Sequence, residues 1–387
     1  MKGLGLYIHI PFCARRCSYC DFLTYDNTSE EDHNSYMNAL SSELKYYAGS
    51  NVVLDTVYIG GGTPSFLNPD LIFRLMAQLR KDFTVHEEAE ITIEANPGLL
   101  DENRLSIYRR AGINRLSLGV QSLDDKILDF IGRIHDRETF IDNFHLARKH
   151  GFSNVSLDLI FAIPGQSNDI WIDNLKEIIY LGPEHISFYA LQIEEETPIY
   201  SLIREGSVRQ IDDETDRIMY HCGVELLKRS GYEHYEISNA AKPGYKSRHN
   251  LKYWSMDEYL GVGLGSHSFF NGKRFSNETD LKKYIGISKQ HVYSVRHRGG
   301  SPWTAYCHEG TRNDNMAEYM FTGMRKVEGI YIPDFIDRFG ISPMIKYEKQ
   351  IEIHSKTGLL IIDQKSRRIR LMLKGMDLFN SVLKDFV

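Results

Sequence analysis

The sequence predicts an α/β protein: a partial (β/α)6 barrel, then a smaller α+β region, then a C-terminal helical, winged-helix-like unit. Three observations carry this. Six strand-like runs alternate with helical ones as far as Leu191, and such alternation buries a parallel sheet beneath crossover helices. Polar or glycine-rich residues follow almost every strand, which suits a barrel mouth better than a flat doubly wound sheet, and six units fall short of the eight of a closed barrel. Beyond Leu191 the alternation stops, and the chain ends in helices around a short hairpin.

The first strand, residues 4–10, is rich in β-formers and leads into a cysteine-bearing loop. Residues 30–48 form a helix capped by Ser29, with Glu31 and Asp32 in its first turn. A strand at 54–59 ends in Gly60-Gly61-Gly62-Thr63-Pro64, and Leu71, Ile72, Leu75, Met76 and Leu79 mark a helix over 70–83. A strand at 90–95 is closed by Asn96-Pro97-Gly98 and followed by a helix over 101–111. The fourth strand, 115–120, runs into Gln121-Ser122, with helices over 124–131 and 137–150. Strand 155–161, helix 170–181 and strand 185–191 complete the barrel. Further on, 212–230 reads as an amphipathic helix, 235–237 as a short strand, and 292–310 as a linker. Helices from 313 onward enclose a hairpin at 358–362 and 368–372, and a final helix runs to Val387. The expected domains are 1–200, 201–300 and 301–387.

Composition narrows the function. A chain of 387 residues with 42% hydrophobic and 25% charged content has ample material for a core. A net charge of −6 gives no global basic field for nucleic acid. Five cysteines, three of them clustered, are no disulfide framework and fit a reducing cytoplasm. No run approaches the ~18 apolar residues of a membrane span, so membrane contact is expected only at the periphery.

Cys13, Cys17 and Cys20 stand in C-x3-C-x2-C spacing. Iron–sulfur clusters are held by thiolates on short loops, and three thiolates leave one iron of a cubane open to a substrate or cofactor. Arg15 and Arg16 are expected to favour the thiolates. Zinc is the competing reading, but it usually takes a second cysteine pair or two histidines, and Cys222 and Cys307 stand alone.

The strand ends supply further candidates. Gly60-Gly61-Gly62-Thr63 reads either as a tight turn or as backbone that approaches a ligand and offers it N–H groups. Glu94, Gln121 and Asp158 fall at or near the ends of successive strands, where a barrel mouth binds its ligand, although each alone reads equally as a cap or loop residue. Arg133 could pair with a carboxylate. His249, with Tyr253 and Trp254 close by, is either an iron or heme ligand or a packed polar–aromatic corner. Gly261-x-Gly263-x-Gly265 lacks the G-x-G-x-x-G spacing of a dinucleotide site.

Taken together these motifs resemble a known family. Cys13-x3-Cys17-x2-Cys20 with Tyr19 before the last cysteine is the radical S-adenosylmethionine signature. Tyr7-Ile8-His9-Ile10-Pro11-Phe12, Gly60-Gly61-Gly62-Thr63-Pro64, Glu94-Ala95-Asn96-Pro97, Gly119-Val120-Gln121-Ser122, Gly132-Arg133 and Asp158-Leu159-Ile160-Phe161 extend it. In order, they resemble the oxygen-independent coproporphyrinogen III oxidase family of radical SAM proteins. That resemblance implies a 4Fe-4S cluster on Cys13, Cys17 and Cys20. It implies S-adenosylmethionine contacts from Tyr7, Tyr19, Gly61, Gly62, Thr63, Glu94, Gln121, Arg133, Asp158 and Ala190. One departure shifts the expectation: the oxidase has a cysteine two residues after the third ligand, where this chain has Phe22. His249-Asn250-Leu251-Lys252-Tyr253-Trp254 and Gly263-Leu264-Gly265-Ser266-His267-Ser268 are similar to motifs of the heme-chaperone branch of the family.

The resemblance therefore implies a cytoplasmic heme chaperone. Its heme motif is His249, Asn250, Tyr253 and Trp254, and its acceptors are hemoproteins, membrane-bound respiratory enzymes and a homodimer being among the expectations. Whether it is an enzyme stays open. The alternatives are oxidative decarboxylation of coproporphyrinogen III and a nucleic-acid-modifying radical enzyme; the acidic charge speaks against the latter.

Overall fold

The computed structural model describes residues 3–49, 52–289 and 301–387. Its first half alternates β1 (Leu4–Ile10), α1 (Glu30–Tyr47), β2 (Val53–Gly61), α2 (Pro69–Asp82), β3 (Thr84–Ala95), α3 (Glu102–Arg110), β4 (Arg115–Gln121), α4 (Asp125–Phe130), α5 (Arg137–Lys149), β5 (Val155–Phe161), α6 (Asn168–Leu181) and β6 (His185–Ala190). The six strands pair in chain order, each parallel to the next. The expected partial barrel is present.

Local chemistry sets the helix starts. Ser29, Asn68, Asp101, Asp124, Asp136 and Ser167 each accept a backbone N–H of the helix they begin, and Ser29 and Asp32 form a reciprocal capping box. Each such cap stabilises by about 1 kcal/mol. Gly182, left-handed at φ 71°, ends α6 just before β6.

The strands alternate with period two, and the two faces differ in kind. Val155, Leu157, Leu159 and Phe161 of β5 and Leu116, Leu118 and Val120 of β4 enter the core shared with the helices. Ser117, Gly119 and Gln121 of β4, Asp158 and Ile160 of β5, and Ser187 and Tyr189 of β6 line a cavity on the other face. The barrel interior is thus a polar basin that opens at the C-terminal strand ends.

The later strands extend the same sheet at both edges rather than forming a separate layer. After α7 (Pro198–Arg204) and α8 (Asp213–Arg229), β7 (Glu233–Glu236) and β8 (Asn239–Ala241) add antiparallel beside β6. Helix α9 (Arg248–Trp254) leads to β9 (Tyr259–Val262), which lies parallel to β1 on the opposite edge. β10 (His267–Phe270) and β11 (Lys273–Asn277) follow, then α10 (Leu281–Ser288) and β12 (Thr304–His308), giving a sheet of 12 strands.

One strand and one linker differ from what the sequence suggests. Residues 257–260 show no clear strand pattern, yet Tyr259 and Leu260 open β9, where Gly261 lets the chain pass close to the His267 carbonyl. The expected linker at 292–310 lies partly outside the described residues, and within it Thr304–His308 is an edge strand paired to β11. Its side chains are mostly exposed, so no hydrophobic alternation marks it.

The C-terminal unit comprises α11 (Arg312–Gly323), β13 (Ile330–Tyr331), α12 (Ile332–Phe339), α13 (Pro343–Lys346), α14 (Glu348–Lys356), β14 (Leu360–Asp363), β15 (Arg368–Leu371), α15 (Leu373–Asp377) and α16 (Phe379–Leu383). The hairpin is extended by β13 into a three-stranded sheet, and the expected final helix is divided into short pieces. Met256 and Phe269 share this unit's core, which ties it to the segments around α9 and β10. Among the described residues, no helix is long and apolar enough to cross a membrane.

Candidate functional site

The cysteine loop leaves β1 and crosses the barrel mouth. It is closed by Cys13 N–H to Tyr25 O at 2.9 Å and Tyr25 N–H to Pro11 O at 2.6 Å. Ser18 N–H to Ile131 O (3.0 Å) and Ser18 Oγ to Phe130 O pin its far side to the end of α4. All three cysteines line the mouth cavity, whose volume is about 430 Å³. Thr63 Oγ1 donates to Cys13 Sγ at 3.4 Å, and an Arg133 guanidinium N–H donates to Cys17 Sγ at 3.4 Å.

Burial dominates at two of the thiols. It pushes Cys13 up to about 11, against the pull of the Thr63 hydroxyl, and it also raises Cys20. Of Arg15 and Arg16, expected to keep the loop ionised, Arg16 does favour the Cys20 thiolate, but less than burial opposes it. Both are exposed, and Arg16 Nε donates to the Cys20 carbonyl. Metal binding by these thiols must release protons.

The glycine run is also corrected in its role. Its N–H groups are spent inside the protein: Gly61 donates to Glu94 Oε2 (3.0 Å), Gly62 to Ile10 O (2.8 Å) and Thr63 to Phe12 O (2.8 Å). What the glycines supply is close approach. A Cβ on Gly62 would lie 3.0 Å from Cys13 Sγ, and one on Gly61, at φ 116°, would lie 2.5 Å from the His9 ring. Gly61→Ala is accordingly expected to cost about 1–3 kcal/mol, read as a lower urea midpoint.

Of the residues expected to contact S-adenosylmethionine, Tyr19, Gly61, Gly62, Thr63, Glu94, Gln121, Arg133, Asp158 and Ala190 all line the mouth cavity, and Asn250 reaches it from α9. Gln121, at φ 67°, follows an irregularity in the β4–β5 register, and Ala162, at φ 57°, sits just past β5. The left-handed turn at the end of β4 brings the Gln121 side chain into the mouth, whereas Ala162 packs in the core. Glu94 accepts from Tyr58 Oη at 2.8 Å, and burial pushes its carboxyl up to about 7. Asp158 accepts from Ser117 and Ser156 hydroxyls at 2.9 and 3.2 Å.

Tyr7 is placed elsewhere. With Tyr253 and Trp254 it lines a second cavity of about 410 Å³, and its hydroxyl meets His9 Nδ1 at 3.0 Å. His249 lies in neither lining. It is 1% exposed, with Nδ1 at 2.8 Å from Thr56 Oγ1 and Nε2 at 2.8 Å from Tyr253 Oη. Its backbone N–H donates to Glu90, its ring stacks on Tyr58 at 5.3 Å, and burial lowers its pKa to about 3.

Sequence reasoning passed over Tyr58, Asn96, Arg115, Ser117, Ser187 and Tyr189, all in the mouth lining. Asn96 accepts from Arg133 and donates to Thr63, so it couples two of the expected residues. The signal was available in the strands: Ser117 and Arg115 lie two and four positions from Gly119 and share its face.

A three-cysteine loop over the mouth of an open parallel barrel defines a radical SAM protein, and the sequence model of the Radical SAM superfamily matches residues 7–178. That of the HemN C-terminal domain matches residues 311–378. The chain belongs to the HemW family within that superfamily. It is 34% identical to heme chaperone HemW of Bacillus subtilis over 98% of each chain. It is 39% identical to that of Escherichia coli over 69% of this chain and 70% of the relative. The solved coproporphyrinogen III oxidase of Escherichia coli matches with a TM-score of 0.83 over 99% of this chain and 90% of that one, at 23% identity, a likeness of fold. Membership in the superfamily brings a 4Fe-4S cluster and S-adenosylmethionine. The donor set fits them: three clustered thiols, glycines that leave space at Cys13, and carboxylate, amide and guanidinium groups around one cavity.

Proposed function

We propose that the protein is a heme chaperone, which binds heme beside a cluster- and S-adenosylmethionine-bearing barrel mouth and transfers it to acceptor hemoproteins. The observation that carries this is the end-to-end likeness to proteins named heme chaperones, over 98% of this chain in the first case. Phe22 supports it: it is 63% exposed at the rim of the cysteine loop, where the oxidases resembled by this sequence carry a further cysteine.

In this reading Cys13, Cys17 and Cys20 would hold the 4Fe-4S cluster and leave one of its irons open to S-adenosylmethionine. When bound, the cluster supplies an electron-transfer centre and a Lewis-acidic iron. The chain's own groups orient the ligand. Arg133, fixed by Asn96 and the Gly119 carbonyl, offers a cation to its carboxylate, and Glu94 accepts from its amino N–H groups. Gln121, Asp158 and Ala190 line the remainder. Tyr253 and Trp254 provide aromatic surface for heme, and His249 is the positioning residue that holds Tyr253.

Glu94 gives this reading a pH signature. Its folded-state pKa lies above the ordinary 4.5, at about 7. Without ligand, ionising it costs stability as pH rises across that window, because the folded state retains the proton longer. An amino N–H donor beside it favours the ionised form. S-adenosylmethionine affinity is therefore expected to rise with pH through about 7, and to lose that rise in Glu94→Gln, as calorimetry on the cluster-loaded protein would read. A pH-independent affinity in the unaltered protein would separate Glu94 from the amino group.

The test of the function as a whole is parallel hemin titration and S-adenosylmethionine-cleavage assay after anaerobic cluster reconstitution. Vinyl-bearing product from coproporphyrinogen III would replace the chaperone reading with the oxidase one.

A further inference from the structure

Helix α9 stands between two cavities of different chemistry. The mouth cavity is lined by Glu94, Asp158, Arg115, Arg133 and the cysteines, and among its described lining residues there is no histidine. The second cavity, about 410 Å³, lies between β1, α9, the β9–β10 segment and α11. Its walls are the rings of Tyr7, Tyr253, Trp254 and Tyr259; Tyr253 meets Tyr259 edge-to-face at 4.6 Å and 81°.

A heme needs apolar faces for its macrocycle and a neutral imidazole nitrogen for its iron, with its propionates left near water or a cation. The second cavity offers the aromatic faces. Two histidines line it. His9 is committed: Nδ1 to the Tyr7 hydroxyl at 3.0 Å and Nε2 to the Leu23 carbonyl at 3.1 Å. His249, behind Tyr253, is committed at both nitrogens as well. His267 differs. It opens β10, it is exposed, and among the described residues its ring makes no hydrogen bond.

The backbone holds His267 at that rim. Gly261 N–H donates to Ser268 Oγ at 2.9 Å, and Gly261 has no Cβ, so the His267 carbonyl can pass over it at a distance any side chain would block. Arg274, the cation in the same lining, stacks on Phe269 at 4.1 Å and pairs with Glu318 of α11. It stands where a propionate could compete for it.

We propose that heme docks in this second cavity with the His267 imidazole as an axial ligand of its iron, Tyr253 and Trp254 forming the wall against the macrocycle. This rests on the heme-chaperone reading and gives that reading a place and a ligand. It also gives heme and S-adenosylmethionine separate cavities, Tyr253 and Trp254 lining the one and Asn250 the other.

The test is hemin titration of the cluster-loaded full-length protein, read by affinity and by the absorption and resonance Raman signatures of histidine coordination. His267→Ala is expected to weaken hemin binding by about tenfold or more and to lose the histidine signature, which added imidazole restores. S-adenosylmethionine affinity in the same variant, expected to be unchanged, shows that the fold and the mouth are intact. A histidine-ligated complex in the unaltered protein that persists with equal affinity in His267→Ala overturns this site and leaves the chaperone reading standing. An unaltered protein that binds no hemin overturns both.

Discussion

Alanine at any one of Cys13, Cys17 or Cys20 is expected to abolish stable 4Fe-4S assembly, with iron and acid-labile sulfide falling to background after reconstitution. The loop contributes three thiols to the mouth, and the remaining cysteines, Cys222 and Cys307, are absent from its lining. With one thiol gone, a cubane would expose two irons instead of one and would no longer be held on both sides of the loop. The variants should still fold. The loop is closed by backbone bonds at Cys13 and Tyr25 and pinned through Ser18, none of which needs a thiol. Binding of S-adenosylmethionine should fall with the cluster, since the open iron would be part of its site. A single-alanine variant that retained a full complement of iron and sulfide would remove that cysteine from the ligand set.

The second large effect is expected at His249. His249→Ala strips the Thr56 and Tyr253 hydroxyls of their partner inside the barrel and leaves a cavity beside Tyr58. A loss of about 2–4 kcal/mol follows from the cavity and the unpaired groups together, measured as a shift of the denaturant midpoint. The loss has a pH dependence. The unfolded imidazole takes up a proton near 6.5, whereas the folded one resists until about 3. The unfolded chain therefore binds more protons across that window, and the unaltered protein loses stability as pH falls through it. The variant should lack that part of the acid sensitivity. Heme affinity should drop with the misplaced Tyr253, while the histidine signature of the bound heme is retained. Loss of that signature in His249→Ala, with the fold intact, would return the iron to His249.

Much of this was legible in the sequence because two signals are strong. Apolar residues with period two, as in Val155, Leu157 and Leu159, disclose a strand covered by helices. Three cysteines in eight residues disclose a cluster loop. The strand-end candidates Glu94, Gln121 and Asp158 share one cavity because parallel strands in order bring their C-terminal ends together. Other features had no local signal. Thr304–His308 is an exposed edge, so its pairing to β11 leaves no hydrophobic trace. The N–H groups of the glycine run look free in sequence and are taken by Glu94, Ile10 and Phe12 in space. The motif from His249 to Trp254 reads as one unit, yet a single helical turn sends Asn250 into one cavity and Tyr253 into another, with His249 enclosed between. Spacing along a helix gives the directions of side chains, not what is packed against each. His267 stood inside a quoted motif without a role until its ring was seen exposed beside the aromatic walls.

The central claim is that this chain carries heme and passes it on. The direct measurement loads the cluster-reconstituted protein with one equivalent of hemin, mixes it with an apo-hemoprotein, and follows the acceptor's own heme spectrum. The account predicts saturable hemin binding and transfer that is faster than from free hemin. It also predicts no conversion of coproporphyrinogen III under the same anaerobic conditions. Absence of hemin binding, or vinyl-bearing product accumulating with 5′-deoxyadenosine, would contradict it.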